Sequence, residues 1–183
     1  MRKLLNEELG RPTVEEFHAQ AKLPVVVVLD NVRSAQNVGS FFRTADAFGI
    51  ERVELCGICS TPPNRELHKT ALGAELSVEW RYHASTLDCV AELRNEGYRI
   101  VAIEQIEGAV MLDNFRAEEG VKYALVFGNE VDGVAQEVAD AVDAAIEIPQ
   151  VGTKHSLNVS VSAGVIMWEM FRQITPSDNK ALL

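Results

Sequence analysis

The chain has 183 residues, 47% of them hydrophobic and 24% charged. A chain of that size hides roughly 70% of its unfolded surface and folds as one globular domain without a disulfide or metal staple, so a disordered chain, a collagen and a small secreted scaffold are excluded. Seventeen Lys and Arg against 27 Asp and Glu give a formal charge of −10, which argues against indiscriminate nucleic-acid binding, although screening beyond about 8–10 Å leaves room for a local basic site.

The N-terminal segment Met1-Arg2-Lys3-Leu4-Leu5-Asn6-Glu7-Glu8 turns acidic before any signal-peptide core forms, and no apolar run reaches the ~20 residues of a membrane helix. The expectation is a cytoplasmic protein with a short N-terminal extension over 1–23, one main domain over 24–175 and a tail over 176–183. Thr13 with Glu16 three residues on predicts a capping box opening a brief helix that Pro24 closes off. Val25-Val26-Val27-Val28-Leu29 is a β-branched run suited to a strand buried on both faces of a parallel sheet. Helices are predicted near Val38–Phe48, Glu66–Leu72, Thr86–Asn95 and Ala135–Ala141, with a closing helix from Asn158 to Gln173 in which Val159, Val161, Val165, Ile166 and Trp168 supply packing. Strands are predicted near Arg52–Leu55, Ser77–Tyr82, Arg99–Glu104, Tyr123–Phe127 and Ala144–Ile148. This alternation specifies an α/β domain whose mostly parallel sheet is flanked by helices. Ligands in such sheets bind at the carboxyl ends of strands, which directs attention to the loops after Leu29, Phe127 and Ile148.

Each of these loops is chemically unusual. In the first, Asn37 can cap the following helix, Gly39 permits close backbone approach, and Arg43 lies in the second turn within reach of the same edge. A plain cap and a surface cation account for these residues equally well. The second, Phe127-Gly128-Asn129-Glu130-Val131-Asp132-Gly133, places two carboxylates between two glycines, where backbone groups and Glu130 can meet a ligand. An ordinary strand-to-helix turn would use the same acids at a helix N-terminus. In the third, Ile148-Pro149 leads to Ser156-Leu157-Asn158-Val159-Ser160, where Ser156 and Asn158 compete to cap one helix and the loser has hydrogen-bonding capacity to spare.

Several chemistries lack their signals. No Gly-x-Gly-x-x-Gly follows the first strand, and neither a P-loop lysine nor a Gly-x-Ser-x-Gly elbow occurs. His18, His68, His83 and His155 form no two-histidine metal motif, so no metal is expected. The three cysteines read as reduced thiols, and Cys56-Gly57-Ile58-Cys59 has no second pair at zinc-finger spacing.

Taken together and in order, the three loops resemble the motifs of the TrmH (SpoU) family of S-adenosylmethionine-dependent RNA 2′-O-ribose methyltransferases, within the SPOUT superfamily. Asn37-Val38-Gly39 with Arg43 is similar to motif 1, Phe127-Gly128-Asn129-Glu130 with Gly133 to motif 2, and Ile148-Pro149 with Ser156-Leu157-Asn158-Val159-Ser160 to motif 3. The match runs from about Val25 to Gln173.

The resemblance implies a C-terminal deep trefoil knot, a homodimer with active sites at the subunit interface, and S-adenosylmethionine as cofactor. It implies cofactor binding by Phe127, Gly128, Asn129, Gly133, Ile148, Pro149, Ser156, Leu157 and Asn158. Arg43 matches the family's catalytic arginine, with Asn37 and Glu130 holding it and Ser156 and Asn158 shaping the pocket. The reaction implied is in-line attack of a ribose 2′-oxygen on the sulfonium methyl. A guanidinium with a pKa above ~12 is a poor base, so Arg43 is expected to bind the neighbouring phosphate and polarise the hydroxyl.

The expected partner is RNA, with no membrane or DNA. Gly97-Tyr98-Arg99-Ile100-Val101-Ala102-Ile103-Glu104-Gln105 and the segment from Glu147 to Ser162 resemble tRNA D-loop guanosine methyltransferases, which favours a tRNA guanosine over ribosomal RNA. Without a basic extension, RNA contact falls to a local set such as Arg33, Arg43, Arg65, Lys69, Arg81 and Lys154. The alternatives are a ribosomal RNA 2′-O-methyltransferase, a base-nitrogen methyltransferase of the same fold, and a non-catalytic RNA-binding or assembly module. Together Asn37, Arg43, Glu130, Ser156 and Asn158 favour ribose chemistry.

Overall fold

The computed structural model describes residues 1–175, and the expected tail over 176–183 lies outside them. A single 3-10 turn, Asn6–Leu9, precedes α1 (Val14–Ala19). The Thr13 hydroxyl accepts the Glu16 N–H at 3.2 Å, and the Glu16 carboxylate accepts the Thr13 N–H at 2.8 Å, so the capping box forms as expected.

There follow β1 (Leu23–Asp30), α2 (Ala35–Ala47), β2 (Ile50–Cys56), α3 (Arg65–Ala71), α4 (Ala74–Ser77), β3 (Glu79–His83) and α5 (Thr86–Asn95). The second half contains β4 (Tyr98–Ile103), β5 (Val110–Met111), β6 (Lys122–Phe127), α6 (Gln136–Ala139), β7 (Ala144–Glu147) and α7 (Val159–Ile174). The strands form one sheet in the order β3-β2-β1-β6-β4-β7-β5, and every neighbouring pair is parallel.

The period of the strand explains why β1 reads as unbroken valine. Val25, Val27 and Leu29 enter the core layer that includes Phe41 and Phe42 of α2 and Ile166 and Met167 of α7. Val26 and Val28 enter the opposite layer, with Val90 and Leu93 of α5 and Val138 of α6. Each fully buried Val contributes about 1.5–3 kcal/mol relative to an exposed one, so a polar residue is costly at any of these five positions. Helix α2 lies close against α3 because residue 39 is glycine. A Cβ there would sit 2.2 Å from the Leu67 carbonyl oxygen and from the Thr70 hydroxyl.

Five expectations need correction. The strand expected from Ser77 starts at Glu79, because Ser77 ends α4 and its hydroxyl donates to Asp46 at 2.5 Å and to the Ala74 carbonyl at 3.1 Å. Helix α2 starts three residues before Val38, because Ser34 rather than Asn37 is its cap, accepting the Asn37 N–H at 3.2 Å. Helix α6 is shorter than its expected span, and β7 stops at Glu147, which leaves Ile148 in the loop. Finally, Val161, Val165 and Trp168 do not pack into their own core: they are 52%, 37% and 50% exposed along one stripe of α7.

The order of the strands positions the site. From β1 the chain moves outward to β2 on one side, and from β6 it crosses to β7 on the other, while β1 and β6 are neighbours. The loops leaving their carboxyl ends therefore diverge and leave a crevice between them.

Candidate functional site

The loop after β6 closes on itself. Asn129 and Gly133 exchange backbone hydrogen bonds of 2.9 and 3.0 Å, and the Asn129 side chain accepts the Val131 N–H at 2.8 Å. This tight hairpin needs glycine at 128, where a Cβ would lie 2.0 Å from the Gly133 carbonyl carbon and 2.1 Å from the Val134 nitrogen. Both obstacles are backbone and cannot swing aside.

Glu130, at the tip, ties this loop to the one after β1. Its carboxylate accepts the Arg33 N–H at 2.9 Å, the Ser34 N–H at 3.0 Å and the Asn37 side-chain amide at 2.7 Å. Partial burial alone would raise its pKa, but the Arg33, Asn37 and Ser34 donors outweigh that and hold it below the ordinary carboxylate value. The Asn129 amide adds a second tie by donating to the Asn31 carbonyl at 2.8 Å.

The third loop joins through Asn158. Its side-chain oxygen caps α7, accepting the Ser160 N–H at 2.9 Å, while its amide donates to the Asn37 side-chain oxygen at 3.3 Å. The competition between Ser156 and Asn158 is thus settled by Asn158. Ser156 is exposed and has no hydrogen-bond partner among the described residues. Asn37 uses both ends of its amide as a link from Glu130 to Asn158, a role its sequence position as a candidate cap did not reveal.

Beside this chain of contacts lies a cavity of about 500 Å³. Phe127, Gly128, Asn129, Glu130, Gly133, Ile148, Ser156, Leu157 and Asn158 all line it. Pro149, Asn37 and Arg43 do not: Asn37 reaches the cavity's lining only through its hydrogen bond to Glu130, and Arg43 is exposed on α2 with no hydrogen-bond or ion-pair partner among the described residues.

Two carboxylates went unrecognised in the sequence. Glu104, just past β4, lines the cavity and accepts the Val134 N–H at 3.1 Å and the Gln105 N–H at 2.8 Å. Asp30, 1% exposed at the end of β1, accepts from the Thr86 hydroxyl at 2.6 Å, the Ala135 N–H at 2.9 Å and the Asn31 amide at 2.9 Å. The available signal was an acid ending a buried strand. The Cys56–Cys59 pair is not a unit: Cys59 lies in the core layer with α2 and Cys56 in the layer with α5. Burial pushes the Cys59 thiol up to about 12, which leaves it inert at neutral pH.

A parallel sheet with a crevice at its carboxyl edge, built from three polar loops, defines an α/β ligand-binding domain. Residues 24–168 match the SpoU rRNA Methylase family, and the chain belongs to that family. It is 30% identical over 167 residues to the 23S rRNA (guanosine-2′-O-)-methyltransferase RlmB of Vibrio parahaemolyticus, a match covering 91% of this chain and 66% of that protein. Its fold is similar to that of the AdoMet-bound rRNA methyltransferase from Sinorhizobium meliloti, with a TM-score of 0.78, 28% identity, and coverage of 87% of this chain and 61% of the other. The TrmH/SpoU tRNA modifying enzyme of A. aeolicus gives a TM-score of 0.78 and 27% identity, covering 96% of this chain and 85% of that one. The chain spans just under two thirds of the length of the curated relatives it matches.

Proposed function

We propose that this chain is an S-adenosylmethionine-dependent RNA methyltransferase acting on a ribose 2′-hydroxyl, with a tRNA guanosine as the favoured acceptor. The observation that carries this reading is the hydrogen-bonded line Glu130–Asn37–Asn158, which brings the three motif loops to the rim of one cavity. The cavity suits the cofactor: Phe127, Ile148 and Leu157 offer apolar surface to an adenine ring, while Asn129, Ser156 and Asn158 offer polar groups to its ribose. S-adenosylmethionine supplies an already activated methyl on a sulfonium, which leaves the protein to align the acceptor oxygen and assist loss of its proton. Asn37 and Glu130 set the entry of α2, Ser156 and Asn158 shape the ribose end of the pocket, and Arg43 binds the phosphate beside the acceptor.

Arg43 does not line the cavity of its own chain, and in this reading it serves the cavity of a second copy. A homodimer meeting along the exposed α7 stripe of Val161, Val165 and Trp168 would bury that stripe. Arg33, Arg43, Arg65 and Lys154 are exposed and form no ion pair among the described residues, which leaves them for RNA phosphates. Arg81 and Lys69, by contrast, are engaged by Glu92, Glu96 and Glu66. The tRNA preference rests on the resemblance of residues 97–105 and 147–162 and on the likeness to the A. aeolicus enzyme. The family resemblance extends the reading to a catalytic domain over 24–175, threaded as a trefoil knot, in a cytoplasmic protein. No helix among the described residues is long and apolar enough to cross a membrane.

The test is incubation with labelled S-adenosylmethionine and unmodified total RNA, followed by nucleoside mass spectrometry. The expected product is 2′-O-methylguanosine in the tRNA fraction, and Arg43→Ala should lose it while still binding the cofactor. Label on a base nitrogen would overturn the ribose assignment, and label confined to ribosomal RNA would overturn the tRNA assignment. Unchanged turnover in Arg43→Ala would remove that residue from the chemistry.

A further inference from the structure

We propose that Glu54, His83 and Cys89 hold a Zn²⁺ ion at a buried site between β2, β3 and α5, leaving the fourth tetrahedral position to water. A carboxylate oxygen of Glu54, a ring nitrogen of His83 and the Cys89 sulfur all lie within 4.8 Å of one another. Glu54 is 1% exposed, Cys89 and Cys56 are fully buried, and only the His83 ring reaches the surface, with its side chain 13% exposed. Cys56 shares the core layer of Cys89 but is not one of the three converging donors. None of these three residues lines the cavity described above, so the site is separate from the one proposed for methyl transfer.

Two independent features point to a cation. The first is the donor set. Oxygen, imidazole nitrogen and thiolate together suit borderline-soft Zn²⁺ and are a poor match for Mg²⁺ or Ca²⁺, which take oxygen ligands. Tetrahedral bonds of about 2.0–2.3 Å separate the donors by roughly 3.5 Å, a spacing the cluster reaches with side-chain shifts of about an ångström or less and without refolding an element.

The second is charge. Glu51, Glu54, Glu92 and Glu96 converge on only two guanidinium groups, Arg52 and Arg81, around His83. This leaves a local excess of negative charge around a buried carboxylate, an arrangement a divalent ion relieves.

The surrounding contacts also match what a metal ligand needs. Arg52 donates to one Glu54 oxygen at 2.6 Å, which fixes the carboxylate and leaves the other oxygen facing His83 Nε2 at 3.0 Å. On the far side of the ring, Nδ1 lies 3.9 Å from a Glu92 oxygen. With Nε2 on the metal and Nδ1–H turned to Glu92, the ring has the carboxylate partner that orients zinc-bound histidines. The Cys89 thiol loses its proton on binding, so the affinity rises with pH.

The test uses the full chain, stripped of metal by a chelator under a thiol-free reductant and titrated with Co²⁺ alone. A single equivalent is expected to produce a thiolate-to-cobalt charge-transfer band and strong tetrahedral visible bands, both abolished when Zn²⁺ displaces it. The melting temperature should rise with Zn²⁺ concentration. Cys89→Ser should lose the charge-transfer band, and Cys59→Ser, whose sulfur lies in the other core layer, should keep it. His83→Gln, at the rim of the cluster, should weaken Zn²⁺ binding about tenfold or more and decides the matter if Cys89→Ser fails to fold. Absence of the band in the wild-type chain overturns the proposal, as does its persistence in Cys89→Ser or an unchanged affinity in His83→Gln. The readout is spectroscopic, so it stands whether or not methyl transfer is found.

Discussion

Glu130 holds the loops after β1 and β6 together, and Glu130→Gln tests that junction with little change in shape. One carboxylate oxygen serves Ser34 and Asn37 and the other serves Arg33. A glutamine keeps only one of these acceptors and turns its own NH₂ toward the donors on the other side. Hydrogen bonds to a charged group contribute about 1.5–3 kcal/mol, and the solvent exposure of Glu130 brings the expected loss down to about 1–2 kcal/mol. For a chain of this size that lowers the melting temperature by about 2–8 °C. The pH dependence is specific. The folded-state pKa of Glu130 lies below its ordinary value of 4.5, so its contribution is complete above that value and is lost as pH falls through the lower folded value. Calorimetric melts of wild type and variant should therefore differ most at neutral pH and converge in acid. S-adenosylmethionine affinity, measured by titration calorimetry, should fall alongside stability because Glu130 also lines the cavity. Equal melting temperatures at neutral pH, or a deficit undiminished in acid, would refute this account of the junction.

Other substitutions probe the same architecture. Gly128→Ala drives a methyl into the Gly133–Val134 backbone and should cost about 3 kcal/mol, seen as a lower urea midpoint. Asp30→Ala strands the Thr86 hydroxyl and the Ala135 N–H, with an expected loss of about 3 kcal/mol or more. A double-mutant cycle with Thr86→Val should return a coupling of about 1–2 kcal/mol, and strict additivity would count against the contact. Val165→Asp places a charge on the exposed α7 stripe and, if the proposed homodimer meets there, should leave a monomer in light scattering with the secondary structure unchanged in circular dichroism.

Much was already determined by local sequence. The valine run of β1 announces a strand buried on both faces, because side chains alternate and every position is apolar. The Thr13–Glu16 box and the span of α5 were fixed by side chains that cap their own neighbours. The three polar loops were legible because glycines, amides and acids at the carboxyl ends of buried strands are costly unless used. The order of those loops in the chain was enough to place it beside a known family.

Tertiary structure decided how these pieces meet. Ser34 and Asn37 are both plausible caps by type, and only the position of Glu130, 93 residues beyond Asn37, frees Asn37 to bridge to Asn158. Asp30 and Glu104 look like strand-end acids until the β6 loop folds back onto them. Val161, Val165 and Trp168 have the composition of core residues, yet the sheet is already covered on their side by Ala163, Ile166, Met167 and Met170 of the same helix. Glu54, His83 and Cys89 share no spacing that marks a ligand set, because two parallel strands and a helix bring them together only through sheet register and packing. Contacts between distant residues depend on which strands become neighbours, and local propensity carries no information about that order.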